Sequence, residues 1–301
     1  MTRRLLTLSL IGALALAACA EEQPQGGGGG GGGQAASCEP ESLNLLNAGQ
    51  LTIGTDNPAY SPWFSGGTSK SSPWKINDPT NGEGFESAVA YAVAEELGFP
   101  VEQVEWVEVP FNQSFKPGPK DFDLFINQVS YKPARDQTVD FSDSYYEVNQ
   151  ALVAVKGSPI TEATSLADLQ PYKLGAPIGT TSYDYIVTNI QPEEDPGVYD
   201  SQNDAISALN AGQIDGIVVD LPTAFFIADP FVQQVKNSVV VGQFATIGEQ
   251  EYFGMVFEDG NPLVECVNEA LDALRSDGRL DAIQQEWLSD KTNVGEAPVL
   301  E

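Results

Sequence analysis

The chain has 301 residues, with 43 acidic against 14 basic side chains, no histidine, three cysteines and a net charge of −29. That surplus of acid argues against nucleic acid as a partner and reads as a solvated, aggregation-resistant surface. The missing histidine and the lack of clustered cysteines argue against a metal site, and nothing in the composition calls for a cofactor.

In chain order, the first 18 residues carry Arg3 and Arg4 and then an apolar run from Leu5 to Ala18, the layout of a secretory signal and too short to span hydrocarbon. The run closes in Leu16-Ala17-Ala18-Cys19. This resembles the lipobox of bacterial lipoproteins, which implies cleavage before Cys19 and acylation of that cysteine. Residues 19–37 are small and polar, with eight glycines at 26–33, and read as a lipid-anchored tether. A coil of that length spans roughly 25 Å. The expected location is therefore extracytoplasmic, held to the membrane through the lipid alone. The other two cysteines, Cys38 and Cys266, form an even pair in an oxidising compartment. They are either bonded or two free buried thiols. Without an imidazole partner, neither is expected to be a catalytic nucleophile.

From residue 51 strand and helix signals alternate, which predicts α/β layering with a largely parallel sheet in each of two units. Leu51–Thr55 reads as a strand, Glu86–Leu97 as a helix closed by Gly98, Val101–Val109 as a second strand and Phe122–Gln128 as a third. The stretch 60–84, rich in Ser, Gly, Pro and Trp, is long enough to line a mouth. A second unit starts near residue 152. Its elements are a short helix from Ser165, a strand Lys173–Pro177, a helix Ser182–Ile190, a helix Asp204–Leu209 and a strand Ile214–Val219 that stops at Asp220. Helices then follow Asn261-Pro262 and continue through Leu280, Ile283 and Trp287. The expected division is 38–151 with 243–290 as the first lobe, 152–242 as the second, and 291–301 as a flexible tail. Crossings near 148–154 and 238–244 would form a hinge.

Ligands of open α/β sheets bind beyond the carboxyl ends of the strands, so the residues after the third strand carry the functional signal. They run from Phe122 through Asn127-Gln128-Val129-Ser130 to Arg135, followed by Val139-Asp140-Phe141-Ser142 and Tyr145-Tyr146. Together with Ile53-Gly54-Thr55-Asp56, Gly84-Phe85-Glu86, Gly179-Thr180-Thr181 and Gly212 to Asp220, this pattern resembles the family 3 solute-binding proteins of ABC importers, the polar amino-acid binders. The resemblance covers roughly residues 45–290. It implies a two-lobed type II periplasmic-binding fold, a monomer, an amino-acid ligand and a membrane permease as partner. The chain departs from the family's pattern at Ser87-Ala88-Val89 and at Asn127 and Gln128, which leaves the ligand's side chain open.

The same assignment follows from chemistry. A free amino acid presents a carboxylate and an ammonium, and both must be paired once removed from water. Arg135 offers a planar fork for the carboxylate, and the backbone N–H groups of Thr181 and Ser182 open a helix toward it. Asp220 accepts from the ammonium with help from Ser130. Each residue also has a structural alternative. Arg135 would pair with Asp136 or Asp140, and Asp220 would cap the turn that follows it. Tyr60, Trp63 and Phe111 are core or pocket wall, and Asp56 meets a cationic side chain or braces a turn. Asn127 and Gln128 would suit an amide, whereas Glu86 reads as a first-turn helix acid. Two rival functions remain: a secreted dehydratase of the cyclohexadienyl type, and a receptor that presents its ligand to a membrane sensor.

Overall fold

A computed structural model of the chain describes residues 38–229, 232, 234–290 and 297–301. The signal (1–18), Cys19 and the tether (19–37) lie outside the described residues. The first pass through the chain gives β1 (Leu51–Thr55), α1 (Phe85–Glu96), β2 (Val104–Glu108), α2 (Phe111–Ser114), β3 (Leu124–Phe125), β4 (Val139–Phe141) and β5 (Tyr146–Glu147). The second region gives β6 (Gln150–Val155), α3 (Leu166–Leu169), β7 (Leu174–Pro177), α4 (Thr181–Tyr185), β8 (Gly197–Tyr199), α5 (Gln202–Asn210), β9 (Gly216–Asp220), α6 (Leu221–Ala228) and β10 (Ser238–Phe244). The chain returns through β11 (Tyr252–Phe253), β12 (Val256–Glu258), α7 (Leu263–Ser276) and α8 (Arg279–Gln284), and closes with β13 (Val299–Leu300).

These strands make two main sheets, ordered β2-β1-β3-β12-β4 and β13-β10-β6-β9-β7-β8. In the first, β1 pairs in parallel with β2 and β3; in the second, β7 pairs in parallel with β8 and β9. Antiparallel pairs accompany them where β12, β6 and β10 enter. The buried side of β1 packs under α1 and α7. The latter turns Leu263, Val267, Leu271 and Leu274 inward at helical spacing. Both faces of β6 are covered, Leu152 and Ala154 by one apolar cluster and Ala151 and Val153 by another. That explains its unbroken apolar run.

The crossings fall a few residues from the expected ones. Strands β6 and β10 lie wholly in the second sheet, paired antiparallel from Ala151 opposite Gln243 to Val155 opposite Ser238 with a register shift between Val240 and Gly242. The chain passes between sheets at 146–149 and 245–253, where β5 pairs with β11. The third strand is two residues long instead of seven, and Gln128, three residues beyond its end, takes a left-handed φ of +46°. A short 3-10 turn at Val101–Gln103 delays β2. The expectation of a flexible tail over 291–301 is overturned for its last residues. Leu300 is 2% exposed, and β13 pairs in parallel with β10.

Cys38 and Cys266 are joined in a disulfide across 228 residues of sequence, with Cα atoms 5.4 Å apart. A loop of that size is worth about 5 kcal/mol in the chain-entropy account. Among the described residues no helix is long and apolar enough to cross a membrane.

Candidate functional site

The ends of β1, β3, β7 and β9 face a cleft between the two sheets. The ten residues singled out by the sequence all line it: Asp56, Tyr60, Phe111, Asn127, Gln128, Ser130 and Arg135 from the first lobe, and Thr181, Ser182 and Asp220 from the second.

Its first-lobe wall depends on Glu86. This first-turn acid of α1 is fully buried and accepts from the Gln128 backbone N–H at 2.6 Å, from the Gln128 side-chain amide and from the Tyr145 hydroxyl. The contacts hold Gln128 in its left-handed conformation and so present Asn127 and Ser130 to the cleft. Asn127 is fixed in turn by the Thr55 hydroxyl, which donates to its Oδ1 at 3.1 Å.

Arg135 does not pair with Asp136 or Asp140. It is 7% exposed and donates from Nη1 to the Ser130 carbonyl at 2.6 Å and from Nη2 to the Gly179 carbonyl at 2.8 Å, the second bond reaching the other lobe. Its guanidinium also lies 4.6 Å from the Phe115 ring centroid and 5.5 Å from that of Phe111. Burial lowers its pKa to about 10, which leaves it charged at neutral pH. Phe111 is thus cleft wall and platform for the cation. Trp63 instead belongs to the core, and its indole N–H donates to the Thr223 hydroxyl of α6 at 2.8 Å.

On the opposite wall Thr180 caps α4 by accepting from the Tyr183 N–H, and the Thr181 hydroxyl stands 3.3 Å from that of Ser130. Asp220 ends β9 and makes no side-chain cap to α6. Its carboxylate accepts from the Gln150 amide at 2.7 Å. Asp220 lines the cleft and is half-buried. Burial first, and the Glu251 charge second, push its pKa up to about 8.

At the mouth, Asp56 accepts from the Asn57 N–H at 2.7 Å, so it braces a turn while lining the cleft. Burial raises its pKa. The Tyr60 hydroxyl is buried beside Ser201 and Asn203 without a well-formed hydrogen bond, and its pKa is pushed up to about 12. The Nε2 of Gln202, at the start of α5, lines the same cleft and is likewise buried without a partner.

Three residues escaped the sequence reading: Gln202, Gln150 and Glu251. Gln150 was detectable as a polar residue opening an apolar strand, Gln-Ala-Leu-Val-Ala-Val. Glu251 sits among acids and carried no signal. The Ser182 hydroxyl donates to Gln150 Oε1 at 2.6 Å, an interaction separate from the role expected of its backbone N–H. Among the described residues no three His, Cys, Asp or Glu side chains are grouped to hold a metal.

Residues 65–290 match the profile of bacterial extracellular solute-binding proteins, family 3. The chain is 28% identical over 224 residues to the ABC transporter glutamine-binding protein GlnH of Bacillus subtilis, which covers 71% of this chain and 77% of that protein. An ancestral arginine-binding protein solved with arginine matches at 26% identity and a TM-score of 0.64. Solved with glutamine it matches at 27% and 0.63; both comparisons cover 80% of this chain and 99% of the other.

Proposed function

Because the chain belongs to the bacterial extracellular solute-binding proteins, family 3, we propose that it captures a free polar or cationic amino acid between its lobes and delivers it to the permease of an ABC importer. The observation that carries this reading is one cleft with Arg135 on one lobe and Asp220 on the other. Two of the five N–H groups of Arg135 are committed to carbonyls, and the rest of the fork takes the ligand's carboxylate with the Thr181 and Ser182 backbone. Asp220 takes the ammonium. Because the two groups belong to different lobes, the ligand favours the closed arrangement through its differential affinity.

The ligand's side chain points toward Asp56, Tyr60 and Gln202. A carboxylate offers spare acceptor capacity there, and two buried polar atoms lack partners, so an apolar side chain would leave the Tyr60 hydroxyl and the Gln202 amide unpaired. Glutamine and arginine, the ligands with which the ancestral arginine-binding protein was solved, both meet that demand. The protein acts outside the cytoplasm, anchored through Cys19, as a monomer that performs no chemistry on its ligand.

A thermal-shift screen of the twenty amino acids tests the reading. A ligand at 100 times its Kd stabilises by about 2.7 kcal/mol, with polar and cationic members giving the shift. Arg135→Ala and Asp220→Ala each abolish it while the ligand-free melting transition stays cooperative. Normal responses from both variants would remove the site. Conversion of prephenate or arogenate would favour a dehydratase instead.

A further inference from the structure

Two carboxylates approach one amide at the back of the cleft. Gln150 opens β6, is 3% exposed, and donates from Nε2 to Asp220 at 2.7 Å and to Glu251 at 3.1 Å. Glu251 lies on the returning hinge segment, one residue before β11, and its Oε1 also accepts from the Ser130 hydroxyl at 2.6 Å. One acid of the hinge therefore touches a cleft residue from the first lobe directly and Asp220 of the second through a single amide.

The charge around Asp220 is unbalanced. Glu251 faces it from the hinge, Glu86 from α1, Tyr145 and Tyr146 from the segment at β5, and Arg135 is the cation that acts against them. Arg135 is already engaged with the Ser130 and Gly179 carbonyls. Asp220 and Glu251 are both half-buried, and two carboxylates sharing one amide donor resist being charged together.

We propose that Glu251 is a positioning residue that links capture to a proton: through Gln150 it crowds a second negative charge against Asp220, so that Asp220 is protonated in the empty cleft and ionises when an ammonium arrives. The proton passes from the Asp220 carboxyl to the buffer, and the ligand's ammonium keeps its own. This rests on the amino-acid reading of the cleft. Burial and the Glu251 charge both act in the required direction on Asp220, toward about 8. The ionised form is the one that accepts the ammonium, so affinity falls as pH falls. The loss approaches tenfold per pH unit once Asp220 is mostly protonated, and binding there releases up to one proton per ligand.

The first measurement needs no ligand. Infrared titration of the empty protein should show a carboxyl losing its proton near pH 8, absent in Asp220→Asn and shifted downward by at least half a pH unit in Glu251→Gln. A wild-type chain with no such carboxyl, or an unmoved midpoint in Glu251→Gln, overturns the proposal. The second is calorimetry of the wild type with L-arginine and L-glutamine in buffers of different ionisation enthalpy. Binding with release of close to one proton supports the link, and binding with none overturns it alone. Absence of a thermal shift with all twenty amino acids overturns the capture reading, and with it the link, whatever the infrared titration shows; where the screen picks another amino acid, that one replaces the two probes in the calorimetry.

Discussion

Glu86 has no exposed surface, and burial pushes its carboxyl up to about 7 although three donors are aimed at it. Because its folded-state pKa lies above the unfolded value, the protonated form is the one the fold favours. Stability from this group is present below about pH 4.5 and is lost as pH rises through about 7. Glu86→Gln should lose less stability than the wild type between pH 5 and 8, which urea denaturation at both pH values would measure. Glu86→Ala should cost about 3 kcal/mol at either pH, because it strands the Gln128 N–H, the Gln128 amide and the Tyr145 hydroxyl. An equal pH dependence in wild type and Glu86→Gln would contradict this account. The cleft residues were legible because their signals are local: Asn127, Ser130 and Arg135 follow one strand within nine positions, and Asp220 ends another. Glu251 was not, since it gains its role from a hydrogen bond to a residue 101 positions away.

The alternation of strand and helix, and boundaries such as the Ser165 cap of α3, were readable from period and capping chemistry. Strand β13 was not, because two residues show no alternation and owe their order to a partner edge. The Gln243 N–H donates to the Pro298 carbonyl at 2.8 Å and the Leu166 N–H to the Glu301 carbonyl at 2.9 Å, while Leu300 fills the second lobe's core. Gly242 makes room for it, since a Cβ there would stand 2.7 Å from Leu300 Cγ and 2.8 Å from the Pro298 carbonyl. Leu300→Asp should therefore destabilise by about 2–5 kcal/mol, as a buried leucine becomes a cavity or a buried charge. The amides of Leu166 and Gln243 should then exchange faster in deuterium experiments. Unchanged protection at both would mean that β13 contributes nothing to the second lobe.

Among the described residues, the contacts that bridge the cleft include Trp63 to Thr223, Arg135 to the Gly179 carbonyl, Ser130 to Thr181, and the ion pair of Lys132 with Asp184. They differ in weight. Lys132 and Asp184 are 24% and 56% exposed, so solvent screening leaves that pair about 0–1 kcal/mol. The Trp63 indole sits in a core of edge-on aromatic contacts with Phe85, Tyr146 and Phe253, where its N–H reaches no other acceptor but Thr223 among the described residues. Stranding that donor costs about 1–3 kcal/mol in the closed arrangement and less in an open one, where water can reach it. Thr223→Val, nearly isosteric, should thus shift the lobes toward opening and weaken amino-acid binding roughly fivefold to thirtyfold. Lys132→Ala should weaken it less than about fivefold, and that smaller effect should fade at high salt. Calorimetric affinities with small-angle scattering of the empty variants would check the order. If Lys132→Ala proved the more damaging change, closure would be governed by exposed charge instead of the buried indole.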